Sequence, residues 1–260
     1  MSDIEGVLLD IDGVLAVSWE PLPGALEAVR WLGANDLPFR LITNTTTHTR
    51  SDLARTLNDG GFEVDAGSIV TAVVATASYL REHHPDAGVF VLSDGDAEQD
   101  LEDVRRVERP GDADVVVLGG ACDAFTYEVM NAIFRRLMDG ATLVAMHRNL
   151  YWRTAGGWQL DGGAYVAGLE EATGRRAVVC GKPASAYFEQ ALHSLGVSAD
   201  RAAMVGDDVV NDVLGAQAAG ITGVLVRTGK FRPEDLEAAE GTPDHVLDSV
   251  ADLPTLLAAT

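Results

Sequence analysis

The chain has 260 residues, of which 47% are hydrophobic, and it carries a formal net charge of −21. This length suits one large domain or a core with an insert, and the apolar content is sufficient for a packed core. A field of this sign repels nucleic acid and anionic membrane surfaces, so neither is expected as a partner. No apolar run approaches the ~20 residues of a membrane span, and the acidic N-terminus lacks the pattern of a signal peptide. We therefore expect a cytoplasmic protein.

Short apolar runs alternate with helix-patterned stretches along the chain, which is typical of a parallel sheet covered by helices. The first run, residues 6–9, ends at Asp10 and is followed by a helical stretch over 24–33. A second run over 39–42 ends at Thr43. Both runs are short enough to be buried strands, so each delivers a polar side chain to the end of a strand.

Three apolar runs late in the chain continue the same pattern, at residues 177–180, 202–205 and 223–226. The first leads to Lys182 and the second to Asp207. Ligands of open α/β sheets bind outside the carboxyl ends of the strands. The sequence therefore predicts that four strands end at one edge of the sheet and bring together Asp10, Thr43, Lys182 and Asp207.

The middle of the chain has α/β content of its own, with strand-like runs at 89–92, 115–118 and 143–146 and an amphipathic stretch over 125–138. We predict an α/β protein with a Rossmann-like, doubly wound parallel-sheet core. Residues 1–85 and 177–260 would form this discontinuous core, and residues 86–176 would form an inserted second α/β domain.

The motif Asp10-Ile11-Asp12-Gly13-Val14-Leu15 directly follows the first apolar strand. The Asp-x-Asp spacing is not informative by itself, because it recurs at 94–96 and at 112–114. Position distinguishes the first copy, since two carboxylates at the end of a buried strand are unfavourable unless a cation compensates them. A loop that caps the following segment is the alternative. The position favours a cation site at Asp10 and Asp12.

Two further short motifs point to phosphate. Thr43 and Asn44 place a hydroxyl and backbone N–H groups before a helix, which can hold phosphate oxygens, although simple helix capping gives the same pattern. Lys182, in Gly181-Lys182-Pro183, follows an apolar run in a chain with only two lysines. An ammonium at that place could neutralise a phosphoryl group packed against carboxylates. Pro183 excludes a Walker A loop, which needs Ser or Thr there.

The segment Gly206-Asp207-Asp208-Val209-Val210-Asn211-Asp212 holds three carboxylates just after an apolar strand. These groups repel one another, and a divalent cation relieves the repulsion. Magnesium suits them best, because it is a hard ion that takes oxygen ligands and keeps waters available for phosphate. A solvated acidic helix start is the alternative. The segment favours a magnesium site with Asp207, Asp208 and Asp212.

Other catalytic and metal-binding signatures are missing from the sequence. There is no Gly-x-Ser-x-Gly, His-Glu-x-x-His or Gly-x-Gly-x-x-Gly motif. The two cysteines, Cys122 and Cys180, are too few for a disulfide framework or a four-thiolate zinc site. Cys180 lies within an apolar run and is expected to be buried and inert.

The four motifs, taken in this order, resemble those of the haloacid dehalogenase-like (HAD) hydrolase superfamily, and the resemblance covers the whole chain. The long separation of Thr43 and Lys182 is similar to that of the NagD-type branch, which carries a large α/β cap at this point. Residues 212–217 and 226–231 extend the similarity to that branch, and within it to the phospholysine phosphohistidine inorganic pyrophosphate phosphatases and related hydrolase-domain proteins.

The resemblance implies a role for each motif residue. Asp10 would attack phosphorus, and Asp12 would protonate the leaving oxygen and then activate water. Thr43 and the Asn44 N–H would hold phosphate oxygens. Lys182 would offset the charge of the nucleophile and of the phosphoryl group.

The resemblance also implies a Mg²⁺ site. Asp10, the Asp12 carbonyl and Asp207 would bind the ion, while Asp208 and Asp212 would act through water or orient the lysine. The implied activity is Mg²⁺-dependent hydrolysis of small phosphate monoesters, or of pyrophosphate, through an aspartyl phosphate.

Two alternatives stay open at this point. A phosphoprotein phosphatase is disfavoured because a large cap suits small substrates, and a non-catalytic phospho-ligand-binding scaffold is disfavoured because binding alone needs no general acid. Specificity is expected in the cap near Arg148 and Asn149 and around residues 161–165, although ordinary loops would have the same composition. The resemblance also leaves a homodimer open.

Overall fold

A computed structural model describes residues 4–120, 123–154 and 157–259, so Cys122 lies outside the described residues. The strands are β1 (Gly6–Asp10), β2 (Ala16–Val17), β3 (Glu20–Pro21), β4 (Phe39–Thr43), β5 (Ile69–Thr71), β6 (Val89–Leu92), β7 (Val115–Leu118), β8 (Thr142–Ala145), β9 (Tyr151–Thr154), β10 (Gly157–Leu160), β11 (Val178–Val179), β12 (Ala202–Gly206), β13 (Thr222–Val226) and β14 (His245–Leu247). The α-helices are α1 (Ala25–Ala34), α2 (Arg50–Asp59), α3 (Ala72–His83), α4 (Tyr127–Met138), α5 (Gly162–Thr173), α6 (Ser185–Leu195), α7 (Gly215–Ala218), α8 (Pro233–Ala238) and α9 (Leu253–Ala258).

The first sheet has six strands in the order β14-β13-β12-β1-β4-β5. The pairings from β14 through β4 are parallel, with Gly6 of β1 opposite Ala202 of β12. From the boundary between β1 and β12, the chain adds strands outward in both directions. Such a boundary is the switch point where open α/β sheets bind ligands. The predicted α/β class with a doubly wound parallel-sheet core is confirmed.

The central strands of this sheet are buried because helices cover both of its faces. Every residue of β1 and of β12 is buried, which explains why both read as continuous apolar runs rather than as alternating ones. Helix α1 packs against the sheet through positions that recur at helical spacing and are buried, namely Ala25, Ala28, Val29 and Leu32. The buried central strands of this sheet thus end at the acidic motifs.

The second sheet has four strands in the order β11-β8-β7-β6, all parallel. The prediction that residues 177–180 form a strand of the first sheet was wrong, because Val178 pairs with Val144 of β8. A short apolar strand fits the edge of either sheet, and its sequence does not say which one. The antiparallel hairpin of β9 and β10 was not predicted at all. Cys180 is buried, as expected.

The chain forms two compact units. The first comprises Met1–Thr43, Arg50–Val70 and Lys182–Thr260, and the second comprises Asn44–Thr49 and Thr71–Gly181. Helix α3 therefore falls in the second unit. The division at residues 86 and 177 stays a prediction. Among the described residues, no helix is both long enough and apolar enough to cross a membrane.

Candidate functional site

Three buried carboxylates meet at the carboxyl end of the first sheet. Asp10 ends β1, Asp207 directly follows β12, and Asp212 lies in the π-helical turn Val209–Leu214. They are only 4%, 1% and 1% exposed, respectively. One oxygen from each lies within 4.8 Å of the other two. Asp10 and Asp207 lie close together because β1 and β12 are neighbouring strands. The short turn after β12 places Asp212 beside them.

The ammonium of Lys182 lies between two of these carboxylates. Its Nζ is 2.8 Å from Oδ1 of Asp10 and 2.7 Å from Oδ1 of Asp212, and the lysine is only 4% exposed. Burial alone would lower the pKa of Lys182, but the attraction of Asp10 and Asp212 outweighs it and raises that pKa well above its ordinary value. The lysine is therefore held as a buried cation between the two carboxylates.

The ammonium groups of Lys182 and Lys230 do not fully neutralise three carboxylates, so burial and mutual repulsion raise the pKa values of two of these carboxylates. Burial, reinforced by repulsion from Asp10 and Asp212, raises the pKa of Asp207 to about 8. Burial also raises the pKa of Asp212 to about 6, although Lys182 opposes this rise. A divalent cation bound by these carboxylates would offset their mutual repulsion and so lower their pKa values.

Asp207 has one oxygen that is suited to a metal ion. Its Oδ2 accepts a hydrogen bond of 2.6 Å from the backbone N–H of Lys230. Its Oδ1 is buried and has no hydrogen-bond partner among the residues that the structure describes. A buried carboxylate oxygen without a donor is costly, and a cation would satisfy it. The three carboxylates therefore fit a hard divalent ion such as Mg²⁺, which prefers oxygen ligands.

Glycines allow the acidic loops to approach one another closely. A Cβ on Gly13, whose φ is 84°, would lie 1.9 Å from Oδ2 of Asp207. A Cβ on Gly206 would lie 2.2 Å from the Cβ of Asp212. The glycine after Asp-x-Asp and the one before Asp207 are thus required by the packing of the carboxylates themselves.

Thr43 lies at the end of β4, next to β1, and a tyrosine fixes its backbone. The hydroxyl of Tyr187 accepts a 3.0 Å hydrogen bond from the Thr43 N–H and donates a 2.7 Å bond to the Val70 carbonyl. Tyr187 lies in α6 and is fully buried. Its position in an amphipathic helix is typical of a core aromatic residue, so its hydrogen bonds could not be read from the sequence.

Two predicted metal-site residues are placed differently from the buried cluster. Asp12 is exposed in the loop after β1. The carboxylate of Asp208 caps the π-helical turn by accepting bonds from the Val210 and Asn211 N–H groups, at 3.1 and 2.9 Å. The structure therefore does not bring the Asp208 carboxylate into the group of Asp10, Asp207 and Asp212. An acidic residue just before a helical turn is a common N-cap, which the sequence had left open.

The remaining predicted residues, Asn44, Arg148 and Asn149, belong to the second unit. Arg148 makes a 2.6 Å ion pair with the buried carboxylate of Glu170. The N–H of Asn149 donates to Nδ1 of His147 at 3.2 Å. The proposed contacts of these three residues with substrate stay predictions.

A cleft with a volume of about 270 Å³ opens beside Asp207 within the first unit. Its walls combine charged side chains with small and aromatic apolar ones, including Asp208, Val209, Lys230, Phe231 and Arg232. Of the three clustered carboxylates, Asp207 is the one that lines this cleft.

Comparison with known families and relatives identifies the family of this chain. Residues 7–105 match the family described as haloacid dehalogenase-like hydrolase, and residues 179–253 match one described as HAD-hydrolase-like. The chain is 35% identical over 240 residues to human haloacid dehalogenase-like hydrolase domain-containing protein 2, covering 92% of this chain and 90% of the relative. It is 35% identical over 263 residues to rat phospholysine phosphohistidine inorganic pyrophosphate phosphatase, covering 99% and 95%.

Solved structures give the same result. The p-nitrophenyl phosphatase from Archaeoglobus fulgidus superposes with a TM-score of 0.91 at 30% identity, over 98% of this chain and 100% of that one. NagD from E. coli K-12 superposes with a TM-score of 0.86 at 27% identity, over 96% and 98%. The resemblance to the NagD-type branch is thereby confirmed. Sequence and structure together show that the chain belongs to the haloacid dehalogenase-like hydrolase family of enzymes.

Proposed function

We propose that this enzyme is a Mg²⁺-dependent phosphatase that hydrolyses small phosphate monoesters, or pyrophosphate, through an aspartyl phosphate on Asp10. The observation that carries the proposal is the buried cluster in which Lys182 contacts Asp10 and Asp212 while Asp207 offers an oxygen without a donor. The phosphatase names of the rat relative and of the Archaeoglobus neighbour support the same reaction class.

The chemistry begins at Asp10. One of its carboxylate oxygens attacks phosphorus, and the bond between phosphorus and the leaving oxygen breaks. The displacement needs alignment and charge compensation more than strong bases. A carboxylate nucleophile divides one difficult displacement into two easier ones. Mg²⁺, held by Asp10, Asp207 and the Asp12 carbonyl, would supply charge compensation to the phosphoryl oxygens.

Asp12 acts as the general acid in the first step and as the general base in the second. As a carboxylic acid it donates its proton to the leaving oxygen, and as a carboxylate it then takes a proton from water. The water oxygen attacks phosphorus, the bond to Asp10 breaks, and inorganic phosphate leaves with Asp10 regenerated. Asp12 is exposed next to the buried nucleophile, which suits a group that must exchange protons. Such a group adds roughly 10²–10⁴-fold to the rate.

Lys182, Thr43 and Asn44 would hold the phosphoryl group. The ammonium of Lys182 already neutralises part of the charge on Asp10, which reduces the repulsion between a carboxylate nucleophile and a phosphate dianion. The Thr43 hydroxyl and the Asn44 N–H would bind phosphoryl oxygens. Asp208 and Asp212 would act through water or orient Lys182, and the 2.7 Å contact of Asp212 with Lys182 supports the second of these roles.

The proposal includes an inserted cap. Residues 86–176 would form it, residues 1–85 and 177–260 would form the core, and Arg148 and Asn149 would contact the leaving group. The similarity to NagD over 96% of this chain supports an insert of this kind.

The decisive experiment compares Asp10→Asn with a matched control. Asp96 belongs to another Asp-x-Asp pair, and it is exposed and lies in the second unit, so Asp96→Asn changes the same chemistry elsewhere. With Mg²⁺ and p-nitrophenyl phosphate, we expect Asp10→Asn to lose nearly all phosphate release while staying folded, and Asp96→Asn to keep it. Normal turnover in Asp10→Asn would overturn the role of Asp10.

Substrate class needs a second measurement. We expect phosphate release from small phosphorylated metabolites or pyrophosphate to exceed that from phosphopeptides. A phosphopeptide that outcompeted every small compound would indicate a phosphoprotein phosphatase. Tight binding of phosphate compounds without any release would indicate a non-catalytic scaffold, and either result would overturn the proposal.

A further inference from the structure

We infer that the turn Thr228-Gly229-Lys230 is a positioning element that sets the affinity of the site for its divalent ion. The turn follows β13, which is adjacent to β12 in the first sheet. It supplies no group to the proposed chemical steps. The inference rests on the metal site of the proposed function and adds a structural cause for the strength of metal binding.

Thr228 fastens the turn to the loop that carries the nucleophile motif. Its Oγ1 donates a 2.5 Å hydrogen bond to the carbonyl of Gly13, the residue after Asp-x-Asp. The two residues are 215 positions apart in sequence. A methyl group in place of this hydroxyl would leave that carbonyl without its donor and would release the turn from the loop.

Lys230 fastens the same turn to the other acidic loop. Its backbone N–H donates a 2.6 Å hydrogen bond to Oδ2 of Asp207. This bond occupies Oδ2 and leaves Oδ1 buried and without a hydrogen-bond donor among the described residues. The hydrogen bond from the turn therefore leaves Oδ1 as the Asp207 oxygen that is available to an ion.

Gly229 lies where the turn packs closely against both the Asp207 loop and the nucleophile loop. Its φ of 61° lies in the left-handed region. A Cβ at this position would lie 2.0 Å from Oδ2 of Asp207 and 2.4 Å from the Cα of Gly13. Backbone atoms of the turn and of the nucleophile loop are thus in direct contact with the Asp207 carboxylate between them. Because the turn contacts both the Asp207 carboxylate and Gly13, we expect a shift of the turn to change the position of Asp207 relative to the nucleophile loop.

Metal affinity is the property that such a shift changes most. Magnesium requires ligands close to octahedral geometry at short distances. Groups that hold a ligand in place typically contribute 10–100-fold to metal affinity when they are removed. Thr228 and Gly229 supply no group to the proposed chemical steps, so kcat at saturating metal should change much less than the affinity for the metal.

The test compares Thr228→Val, Thr228→Ser and Thr222→Val. Thr222 begins β13, and its hydroxyl makes no hydrogen bond within the described part of the chain, so Thr222→Val is a matched control. Mg²⁺ binding is measured by calorimetry and by the rise in melting temperature with added Mg²⁺, both without substrate. The activation constant for Mg²⁺ and kcat at saturating Mg²⁺ are measured with p-nitrophenyl phosphate.

We expect Thr228→Val to bind Mg²⁺ about 10–100-fold more weakly, with kcat at saturating Mg²⁺ reduced far less. Thr228→Ser should restore the affinity because it keeps the hydroxyl, and Thr222→Val should bind as the parent does. If Thr228→Val does not fold, Thr228→Ala takes its place, and Gly229→Ala tests the same contact from the steric side.

Unchanged Mg²⁺ affinity in the folded Thr228 variants, or a loss of kcat without a loss of affinity, would overturn the inference. Failure of the proposed function gives a different result, namely a parent enzyme that releases no phosphate from any substrate. The calorimetric comparison is informative even then, because it needs no turnover.

Discussion

The Nζ of Lys182 lies 2.8 Å from Oδ1 of Asp10, a residue 172 positions earlier in the chain. The same ammonium contacts Asp212, so a single cation serves two buried carboxylates. Breaking such a buried pair from one side is strongly destabilising, because the remaining charges lose their compensation.

Lys182→Met should therefore impair both catalysis and stability. Without the ammonium, the charge on Asp10 repels the phosphoryl group, and phosphate release should fall by at least ~100-fold, the usual effect of removing one preorganised charge-stabilising group. In chelator, thermal denaturation should show a lower melting temperature, which Asp212→Asn should partly restore in the double variant because one buried carboxylate fewer is ionised. Turnover close to that of the parent would contradict this role of the lysine.

The stability of the metal-free protein should fall as the pH rises. The pKa of Asp207 is about 8 in the folded protein against an ordinary value of 3.8. Between these values the folded state holds a proton that the unfolded state has released, so raising the pH disfavours folding. Asp212, with its pKa raised to about 6, acts in the same direction over the lower part of the range.

Thermal melting in chelator between pH 5 and pH 8 measures this effect, and the difference between parent and Asp207→Asn isolates the contribution of Asp207. We expect a shallower pH dependence in the variant, by roughly 3 °C or more of melting temperature across the range. Mg²⁺ should stabilise the parent most near pH 8, where fewer protons compete with the ion for the Asp207 carboxylate. Equal slopes for parent and variant would refute the raised pKa of Asp207.

Tyr187→Phe should lower stability and loosen phosphate binding. The change removes the hydrogen bond that the Thr43 N–H donates to the Tyr187 hydroxyl, and losing the partner of a buried donor costs about 1–3 kcal/mol in the free energy of unfolding. Thr43 is then less well fixed, so KM should rise more than kcat falls. Tyr127 is 85% exposed, and Tyr127→Phe is the matched control that should stay within ~0.5 kcal/mol of the parent. The two tyrosines would have equal effects only if the hydrogen bonds of Tyr187 were unimportant.

Comparing variants of Arg148 and Arg176 distinguishes a structural role of Arg148 from a contact with the substrate. Arg148 and Arg176 both pair with the buried carboxylate of Glu170, at 2.6 and 3.6 Å, and their side chains are 41% and 81% exposed. Arg148→Ala and Arg176→Ala should share any effect that passes through Glu170. We expect only Arg148→Ala to lower kcat/KM, and only for some substrates in a panel of phosphorylated metabolites. If no substrate distinguishes the two variants, Arg148 is not a specificity residue.

Much of the fold and the acidic site could be predicted because the relevant signals are local. An apolar run that ends in aspartate predicts a buried strand with a carboxylate at its end, and this was sufficient to place Asp10 and Asp207 at one sheet edge. The same reasoning misplaced residues 177–180, because a short run of Val and Ala is equally apolar in either sheet. The hairpin of β9 and β10 was missed because its alternation is weak.

The chain order of motifs, the burial of the central strands and the chemical types at the strand ends were determined by the sequence itself, since apolar runs and polar ends follow from solvation. Only the tertiary structure decided which hydrogen-bond partner each of these polar groups has. It assigned the Asp208 carboxylate to capping and left Asp207 Oδ1 buried without a donor among the described residues. It also joined Tyr187 to Thr43, and Thr228 to Gly13. Hydrogen bonds between residues far apart in sequence depend on which backbone groups the folded sheet brings within 3 Å or so, and no local pattern records that.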